Sequence, residues 1–230
     1  AAREKFLAIM QAQADRMSRL IDDLLSLSRI ELNEHIAPAG DVDLALAVID
    51  VVDALGPLAR DRGVRLETDL PDPGQAVGVG DRDQIVQVIQ NLVDNALKYS
   101  PREGAVRISV KTGQTAEAAT AAQSSSSSRM SLLTPDRGNE AYVVLRVSDT
   151  GPGLAREHLP RLTERFYRVE GQKSGDRSGT GLGLAIVKHI MNRHRGGMAV
   201  ESVEGEGATF TVYLPMAAPT ATMGGVTKLS

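Results

Sequence analysis

The sequence predicts an α/β fold, a two-layer sandwich of one sheet with helices on one face, preceded by a long bundle-forming helix. Residues 1–32 carry an unbroken helical apolar pattern. The same periodicity returns at 44–60, 81–99 and 182–193, and short alternating apolar runs typical of strands lie between these segments. Because helix and sheet faces must be buried against another layer, this order favours helices packed on one side of a single sheet.

The composition is that of a soluble globular protein: of 230 residues, 42% are hydrophobic and 24% are charged. The absence of cysteine excludes disulfides, thiolate chemistry and cysteine-ligated zinc. A formal net charge of −3 without a dense run of Lys or Arg argues against nucleic acid as the main partner. No apolar run approaches the roughly 20 residues of a membrane helix. The start at Ala1 is expected to be a cut within a longer protein.

Residues 1–32 are predicted to form one helix with an apolar seam. Alternating steps of four and three residues connect Phe6, Met10, Gln13, Met17, Leu20, Leu24, Leu27 and Glu31. Further apolar side chains widen this face: Ile9, Ile21, Leu25 and Leu32. A face of this width favours a helical bundle, completed by other copies of the chain or by a helix that the sequence lacks. The alternative is an ordinary amphipathic helix packed on its own domain.

The elements that follow are read from the same periodicities. After a break at 35–40, a helical pattern covers 44–60, where Gly56 and Pro57 could interrupt it. A helix over Asp81–Tyr99 has the most continuous apolar face. Strands are predicted at 64–70, 76–79, 106–110, 142–147, 198–202 and 209–214.

Residues 113–139 contain an Ala/Thr/Gln/Ser stretch with five consecutive serines at 124–128. The stretch is too polar and too low in complexity to form a core, so we expect a disordered insertion within a hairpin. The chain is therefore divided into a helical part over 1–35, a folded domain over 36–216 that contains the insertion, and a loose tail over 217–230.

Asn91, Asn95 and Lys98 form the first of four patterns that indicate phosphate chemistry. On a helix the two amides, four residues apart, share one face, and the lysine follows three residues later. Amide oxygens beside a cation suit a magnesium-bound polyphosphate, because Mg²⁺ takes oxygen ligands and keeps several waters. A polar solvated helix face would carry the same residues.

The other three patterns each have two interpretations. Asp149 ends a strand before the glycine turn 151–153, so its carboxylate could select adenine in a pocket or merely close the strand. Residues 164–168 place aromatic side chains beside Arg168, which could grip a phosphate or end a surface helix. In residues 178–190 three glycines occupy every second position before an apolar helix. They could form a phosphate-binding loop or only a turn that precedes the helix. Their spacing matches neither the dinucleotide fingerprint nor the phosphate-loop motif.

Taken together and in order, the four patterns resemble the catalytic and ATP-binding domain of bacterial sensor histidine kinases, in the superfamily shared with gyrase and MutL. Residues 81–100 resemble the family's N box, 149–153 its first glycine box, 164–168 its F box and 179–183 its second glycine box. Residues 1–32 resemble the second helix of the dimerisation and phosphoacceptor hairpin. The resemblance implies a two-layer α/β sandwich of the histidine kinase/gyrase ATPase type, and it suggests the phosphate-regulon sensor kinases as the subgroup.

The resemblance also implies a role for each matching residue in binding ATP and Mg²⁺. Asn95 would supply an oxygen to Mg²⁺, with Asn91 beside it. Lys98 would contact phosphate and Arg168 the γ-phosphate, and these two with Asn91 are the residues implied in catalysis. Asp149 would accept a hydrogen bond from the adenine amino group. The remaining implied nucleotide contacts are Tyr99, Gly151, Gly153, Phe166, Gly179, Thr180, Gly181, Leu182 and Gly183.

One difference from the hydrolytic relatives and one departure from the kinase family limit the expected activity. Hydrolytic relatives carry a glutamate at the position of Asn91, and an amide cannot act as a general base toward water, so ATP should be held without rapid hydrolysis. The family's phosphoacceptor box, His-Glu-x-x-x-Pro or close to it, is absent. We interpret His35 as a linker residue, and His158, His189 and His194 as structural or surface groups, with no spacing that supports a metal cluster.

The sequence thus predicts the ATP-binding part of a protein-histidine kinase that phosphorylates a histidine of the dimerisation domain, for relay to a response regulator. The alternatives are a non-catalytic nucleotide-binding or scaffold module, and a hydrolytic ATPase of the gyrase type. Expected partners are the phosphoacceptor helix of the same protein, the response regulator and a second copy through residues 1–32. We expect a mobile lid over 170–178 and a cytoplasmic location, with the parent protein anchored in the bacterial inner membrane. The sensed signal does not follow from the sequence.

Overall fold

The computed structural model describes residues 2–115, 128–135, 141–169 and 179–218. Within these ranges the elements follow in the order α1 (Ala2–Leu32), β1 (Asp41–Asp43), α2 (Leu44–Arg62), β2 (Arg65–Asp69), β3 (Val77–Val79), α3 (Arg82–Tyr99), β4 (Ala105–Gln114), β5 (Ser128–Leu133), β6 (Tyr142–Asp149), a 3₁₀ helix (Arg156–Arg161), α4 (Gly183–Arg193), β7 (Gly197–Val203) and β8 (Gly207–Pro215).

A six-stranded sheet forms one layer of the domain, with the spatial order β2-β4-β6-β8-β7-β5. Only the β2–β4 pair is parallel; the other neighbours are antiparallel. Strands β1 and β3 form a separate antiparallel pair. Buried side chains of α2, α3 and α4 join those of the sheet in one core. The predicted two-layer α/β fold is therefore confirmed.

Helix α3 is defined by local signals that the sequence displays. Asp81 caps its N-terminus, where its carboxylate accepts from the backbone N–H groups of Asp83 at 3.0 Å and Gln84 at 3.3 Å. Seven apolar side chains on one face are buried: Ile85, Val88, Ile89, Leu92, Val93, Ala96 and Leu97. This burial fixes the rotation of the helix about its axis. The polar side of the helix, which carries Asn91 and Asn95, therefore lies at the edge of the helical layer.

Helix α2 passes through Pro57 without interruption and continues to Arg62. Proline removes one backbone hydrogen bond from a helix. Here buried side chains on both sides of it, Val51 and Ala59, anchor the helix to the core, and Gly63 ends it with a left-handed φ of 67°. Tertiary packing therefore outweighs the local cost of the proline.

The expectation of a disordered insertion over 113–139 is wrong where the structure describes it. Strand β4 extends to Gln114, and Ser128–Leu133 forms β5, which pairs antiparallel with β7 at the edge of the sheet. The backbone groups of β5 find partners on a strand some 70 residues away, which a composition argument cannot anticipate. Residues 116–127 and 136–140 lie outside the described residues, as do the predicted lid over 170–178 and the tail from 219.

Helix α1 packs on the domain only near its C-terminal end. Leu27 and Ile30 are buried in the core, next to α4. Ser26 Oγ lies 3.0 Å from Nε2 of Gln87 on α3. Most of the apolar side chains of the predicted seam and of the residues that widen it are exposed: Phe6, Ile9, Met10, Met17, Ile21, Leu24, Leu25 and Leu32. Packing on its own domain, the alternative interpretation, therefore holds for the last turns and leaves the rest of the apolar face uncovered by this chain.

None of the described helices combines the length and apolarity needed to cross a membrane.

His194 ties the end of α4 to the start of α3. Its side chain is 4% exposed, its Nε2 accepts from the backbone N–H of Asp81 at 3.0 Å, and its Nδ1 donates to the carbonyl of Ile190 at 2.7 Å. Burial lowers the pKa of His194. Both hydrogen bonds require the neutral ring with its proton on Nδ1, so this histidine is structural, in agreement with the sequence interpretation.

Replacing His194 with alanine should lower the free energy of unfolding by about 2–4 kcal/mol, since it leaves a void and an unpaired buried N–H. Because folding depresses the pKa of His194, its contribution is complete above about pH 6.5 and is lost as the pH falls below that value. Urea unfolding at pH 8 measures the loss. His35→Ala, at an exposed position, is the control; equal losses for the two variants would contradict the structural role.

Candidate functional site

The four sequence patterns meet at one cavity of about 250 Å³, enclosed by α1, α3, the end of β6 and the start of α4. Eleven of the predicted site residues line it: Asn91, Asn95, Lys98, Tyr99, Asp149, Gly153, Arg168, Gly179, Thr180, Gly181 and Gly183. The patterns are separated by up to about 90 residues in the chain, so their convergence is a property of the fold.

One end of the cavity is cationic and lined by backbone. A Cβ at Gly179 would collide with Nζ of Lys98, and a Cβ at Gly183 would lie 3.3 Å from Oδ1 of Asn91. Arg168 Nη1 donates to the carbonyl of Gly179 at 3.3 Å. The glycines therefore allow the loop to lie against the polar edge of α3, so that backbone N–H groups and two cations border the same space.

The residues at this end fit a magnesium-bound polyphosphate. Asn91 Nδ2 is buried and has no hydrogen-bond partner among the described residues, so it is open to a ligand. Asn95 borders the same space with a second amide. In the described part of the chain no three His, Asp or Glu side chains are grouped to hold a metal. An amide oxygen completed by waters and ligand phosphates is a coordination that Mg²⁺ accepts, and the carboxylates of Asp23 and Asp94 also border the cavity.

The other end of the cavity carries a partly buried carboxylate. Asp149, at the end of β6, accepts from the backbone N–H of Gly151 at 2.8 Å. Burial raises the pKa of Asp149 to about 6, although hydrogen bonds from Gly151 and Ala208 lower it. The walls here are mainly apolar, from Leu154, Leu162, Ala208 and Phe210. An apolar slot with one partly buried acceptor can hold a flat ring that carries an amino group.

Gly153 brings β7 close to this end. Its φ is 67°, and a Cβ there would collide with the carbonyl oxygen of Val203. The packing of the chain by itself therefore requires a glycine at this position of the first glycine turn.

Three predicted site residues do not line the cavity. Phe166 is 55% exposed and adopts a φ of 63°; its backbone N–H donates to the carbonyl of Gly181 at 3.0 Å. Tyr167 lines the cavity instead and is held by a 2.7 Å hydrogen bond between its hydroxyl and Nδ1 of His158. Leu182 is fully buried in the core and Gly151 serves the turn, so both act through the backbone. Of the two adjacent aromatic residues, Tyr167 and not Phe166 therefore borders the cavity.

Helix α1 contributes two cavity residues that the sequence did not reveal, Arg19 and Asp23. Asp23 Oδ2 accepts a 2.7 Å hydrogen bond from the hydroxyl of Thr180 in the glycine loop. Burial raises the pKa of Asp23, while the hydrogen bond from Thr180 lowers it. The four-residue spacing places both α1 side chains on one helix face, but only the docking of α1 brings that face to the cavity.

The match to a family model decides the classification. Residues 80–218 match the model described as histidine kinase-, DNA gyrase B-, and HSP90-like ATPase, which covers more than half of the chain. The chain belongs to this ATPase family. It is 35% identical over 204 residues to the phosphate regulon sensor protein PhoR of Pseudomonas aeruginosa, covering 89% of this chain and 40% of that protein. It is 30% identical over 211 residues to the sensor histidine kinase WalK of Bacillus subtilis, covering 92% and 30%.

Solved structures agree with the fold. Full-length ShkA in complex with AMPPNP superposes with a TM-score of 0.66 at 22% identity, over 95% of this chain and 40% of that one. The histidine kinase AdeS of Acinetobacter baumannii gives a TM-score of 0.64 at 24% identity, over 93% and 84%. The chain spans less than half the length of each of these two curated relatives.

Proposed function

We propose that this chain is the ATP-binding catalytic part of a sensor histidine kinase. It transfers the γ-phosphate of ATP to a histidine on the dimerisation domain of its parent protein, for relay to an aspartate of a response regulator. The observation that carries the proposal is that one cavity has a partly buried carboxylate at one end and amides, cations and glycine backbone at the other. Membership of the ATPase family and the names of the curated relatives support it.

Adenine is bound at the apolar end of the cavity. Asp149 accepts a hydrogen bond from the exocyclic amino group, and Gly153 allows the chain to pass close to the base. Leu162 and Phe210 bury the ring faces. A guanine ring would present a carbonyl oxygen to the same carboxylate, and two acceptors repel, so the slot selects adenine.

The phosphates are held at the opposite end. Lys98 and the backbone N–H groups of the loop 179–183 neutralise and orient them, and Arg168 stabilises the charge that develops on the γ-phosphate during transfer. Asn95 would supply an oxygen to Mg²⁺, with Asn91 beside it. The metal, when bound, neutralises phosphate charge. Asn91 offers no base to activate water, so the bound ATP persists until an acceptor arrives, which favours a kinase over a hydrolytic ATPase.

The acceptor comes from outside this chain. None of the four histidines lies in a phosphoacceptor box. The exposed apolar side chains of α1, among them Phe6, Met10 and Met17, form the face that pairs with a second copy and with the acceptor helix. We infer a dimeric parent, anchored in the bacterial inner membrane with this part in the cytoplasm, and similarity to PhoR favours the phosphate-regulon subgroup.

Isothermal titration calorimetry tests nucleotide binding and the metal role together. The chain should bind ATP and ADP, and Asn95→Ala should weaken ATP binding by about 10- to 100-fold with Mg²⁺, the scale of one lost metal or charged hydrogen-bond contact. With a chelator the variant and the unaltered chain should bind equally.

Gln90→Ala provides the matched control, because Gln90 is an exposed amide on the same helix outside the cavity. It should bind ATP like the unaltered chain. If the chain binds neither nucleotide, the alternative of a scaffold module is correct. An equal loss for Asn95→Ala with and without Mg²⁺ would rule out metal ligation.

A further inference from the structure

The phosphate end of the cavity already contains a carboxylate from the chain itself. Asp23 of α1 lines the cavity together with Asn91, Asn95 and Lys98, and its Oδ2 lies 2.7 Å from the hydroxyl of Thr180. Thr180 belongs to the glycine loop, and its Oγ1 also accepts from the backbone N–H of Leu182 at 3.3 Å. The carboxylate is therefore held by the loop assigned to the phosphates.

Asp23 is placed there by the docking of the C-terminal third of α1. Leu27 and Ile30 are buried against the core. Polar contacts surround these two buried side chains: Ser26 with Gln87, Glu31 with Arg165, and Glu34 with Asn192. Arg193 Nε donates to the carbonyl of Ile36 at 3.0 Å. Several contacts on α3 and α4 thus define the docked position, and the Asp23–Thr180 hydrogen bond is the one that reaches the cavity.

A carboxylate at this place opposes a bound polyphosphate. Like charges within several ångströms in a partly buried site repel more strongly than at the surface, because less water screens them. Arg19 lines the same cavity from one turn earlier in α1, but it is exposed, so solvent weakens its compensating attraction. The repulsion grows with the number of phosphates.

We propose that Asp23 is a specificity-determining residue of the nucleotide site: it disfavours ligands in proportion to their phosphate charge, so that docking of α1 and binding of ATP oppose each other. This inference rests on the proposed nucleotide function. Bound ATP displaces Asp23 from Thr180 and loosens α1 from α3 and α4. Adenosine, which has no phosphate, leaves α1 docked.

A ligand series measures the charge discrimination. Asp23→Asn keeps the size of the side chain and removes its charge. Without Mg²⁺, ATP affinity should rise about tenfold, ADP affinity about threefold, and adenosine affinity should change less than twofold, as expected for removing one like charge from a partly screened site. Asp22→Asn removes one negative charge from the neighbouring exposed residue. It should change the affinities for ATP, ADP and adenosine less than twofold.

The outcomes separate this inference from the proposed function. If all variants bind ATP and Asp23→Asn leaves the ATP-to-adenosine ratio unchanged, the discrimination is refuted while the nucleotide function stands. If Asp23→Asn weakens ATP binding only with Mg²⁺, Asp23 is a metal ligand and the inference is wrong. If no variant binds any nucleotide, the proposed function fails and the inference falls with it.

A thiol probe measures the docking of α1 directly. The chain has no cysteine, so Ser26→Cys introduces a single thiol at the partly buried contact with Gln87. ATP should accelerate its reaction with an aromatic disulfide reagent at least threefold, while adenosine should not. Ser28→Cys, exposed on the same helix, should react at one rate throughout. If saturating ATP slows the reaction of the Ser26→Cys thiol with the reagent or leaves its rate unchanged, α1 does not undock. Docking of α1 and binding of ATP then do not oppose each other.

Discussion

Mixed with ATP, Mg²⁺ and a separate fragment that carries the phosphoacceptor helix of the parent, the chain should phosphorylate that fragment, and Arg168→Ala should slow the reaction roughly 100-fold or more. Arg168 borders the phosphate end and contacts the glycine loop through the carbonyl of Gly179. Removal of one donor aimed at charge developing in a transition state costs about 100- to 1,000-fold. Transfer of radiolabel from γ-labelled ATP, followed over time at saturating nucleotide, measures the rate.

The chain alone should not label itself, because proximity dominates such transfers and the acceptor helix is supplied separately. Arg156→Ala removes an exposed arginine of the 3₁₀ helix outside the cavity and should leave the rate unchanged. Arg168→Lys keeps the positive charge but lacks the planar fork of donors. Its phosphorylation rate should lie between those of Arg168→Ala and the unaltered chain. Strong acid-labile self-labelling that disappears in His35→Ala would show that the acceptor is assigned wrongly.

Asp149→Asn should stabilise the fold while it weakens ATP binding. Burial raises the pKa of Asp149 to about 6 from 3.8. Because the folded-state pKa is the higher one, its favourable contribution is complete below about pH 3.8 and is lost as the pH rises to about 6, so the ionised group destabilises the fold at neutral pH. Asparagine keeps an oxygen for the N–H of Gly151, and the free energy of unfolding at pH 8 should rise by about 1–3 kcal/mol.

The same substitution places an amide where the adenine amino group needs a charged acceptor, so ATP affinity should fall about 10- to 100-fold. Urea unfolding at pH 8 and pH 4, with calorimetric titration of ATP, measures both effects; the stability gain should shrink at the lower pH. Asp69→Asn, at an exposed strand end, is the control for the charge change. If Asp149→Asn is less stable and binds ATP with unchanged affinity, then the ionised carboxylate does not destabilise the fold and does not bind adenine.

Local interactions made α3 and its polar edge predictable. The cap at Asp81, the apolar period and the four-residue step from Asn91 to Asn95 all act within a few turns of one helix. Once the apolar side was buried, only one orientation was left for the amides. The shared face of Asn91 and Asn95 could therefore be predicted before the fold was known, whereas their assignment to a nucleotide site came only from the resemblance to the kinase family.

Other features depend on contacts between distant segments. Phe166 and Tyr167 are adjacent and both aromatic, and the fold places Tyr167 at the cavity while Phe166 has a positive φ and an exposed side chain. Strand β5 exists because the edge of β7 is open to it. No periodicity in the chain encodes either outcome.

Periodicity and capping within short segments made the two-layer architecture and the helix with Asn91 and Asn95 predictable, and the resemblance to the kinase family identified the glycine loop. That these segments share one cavity, and that Asp23 of α1 enters it, follows only from how the segments pack together. That placement depends on the burial of Leu27 and Ile30 against elements more than 50 residues away in the chain. Such burial is a sum of many weak contacts whose partners no local pattern specifies.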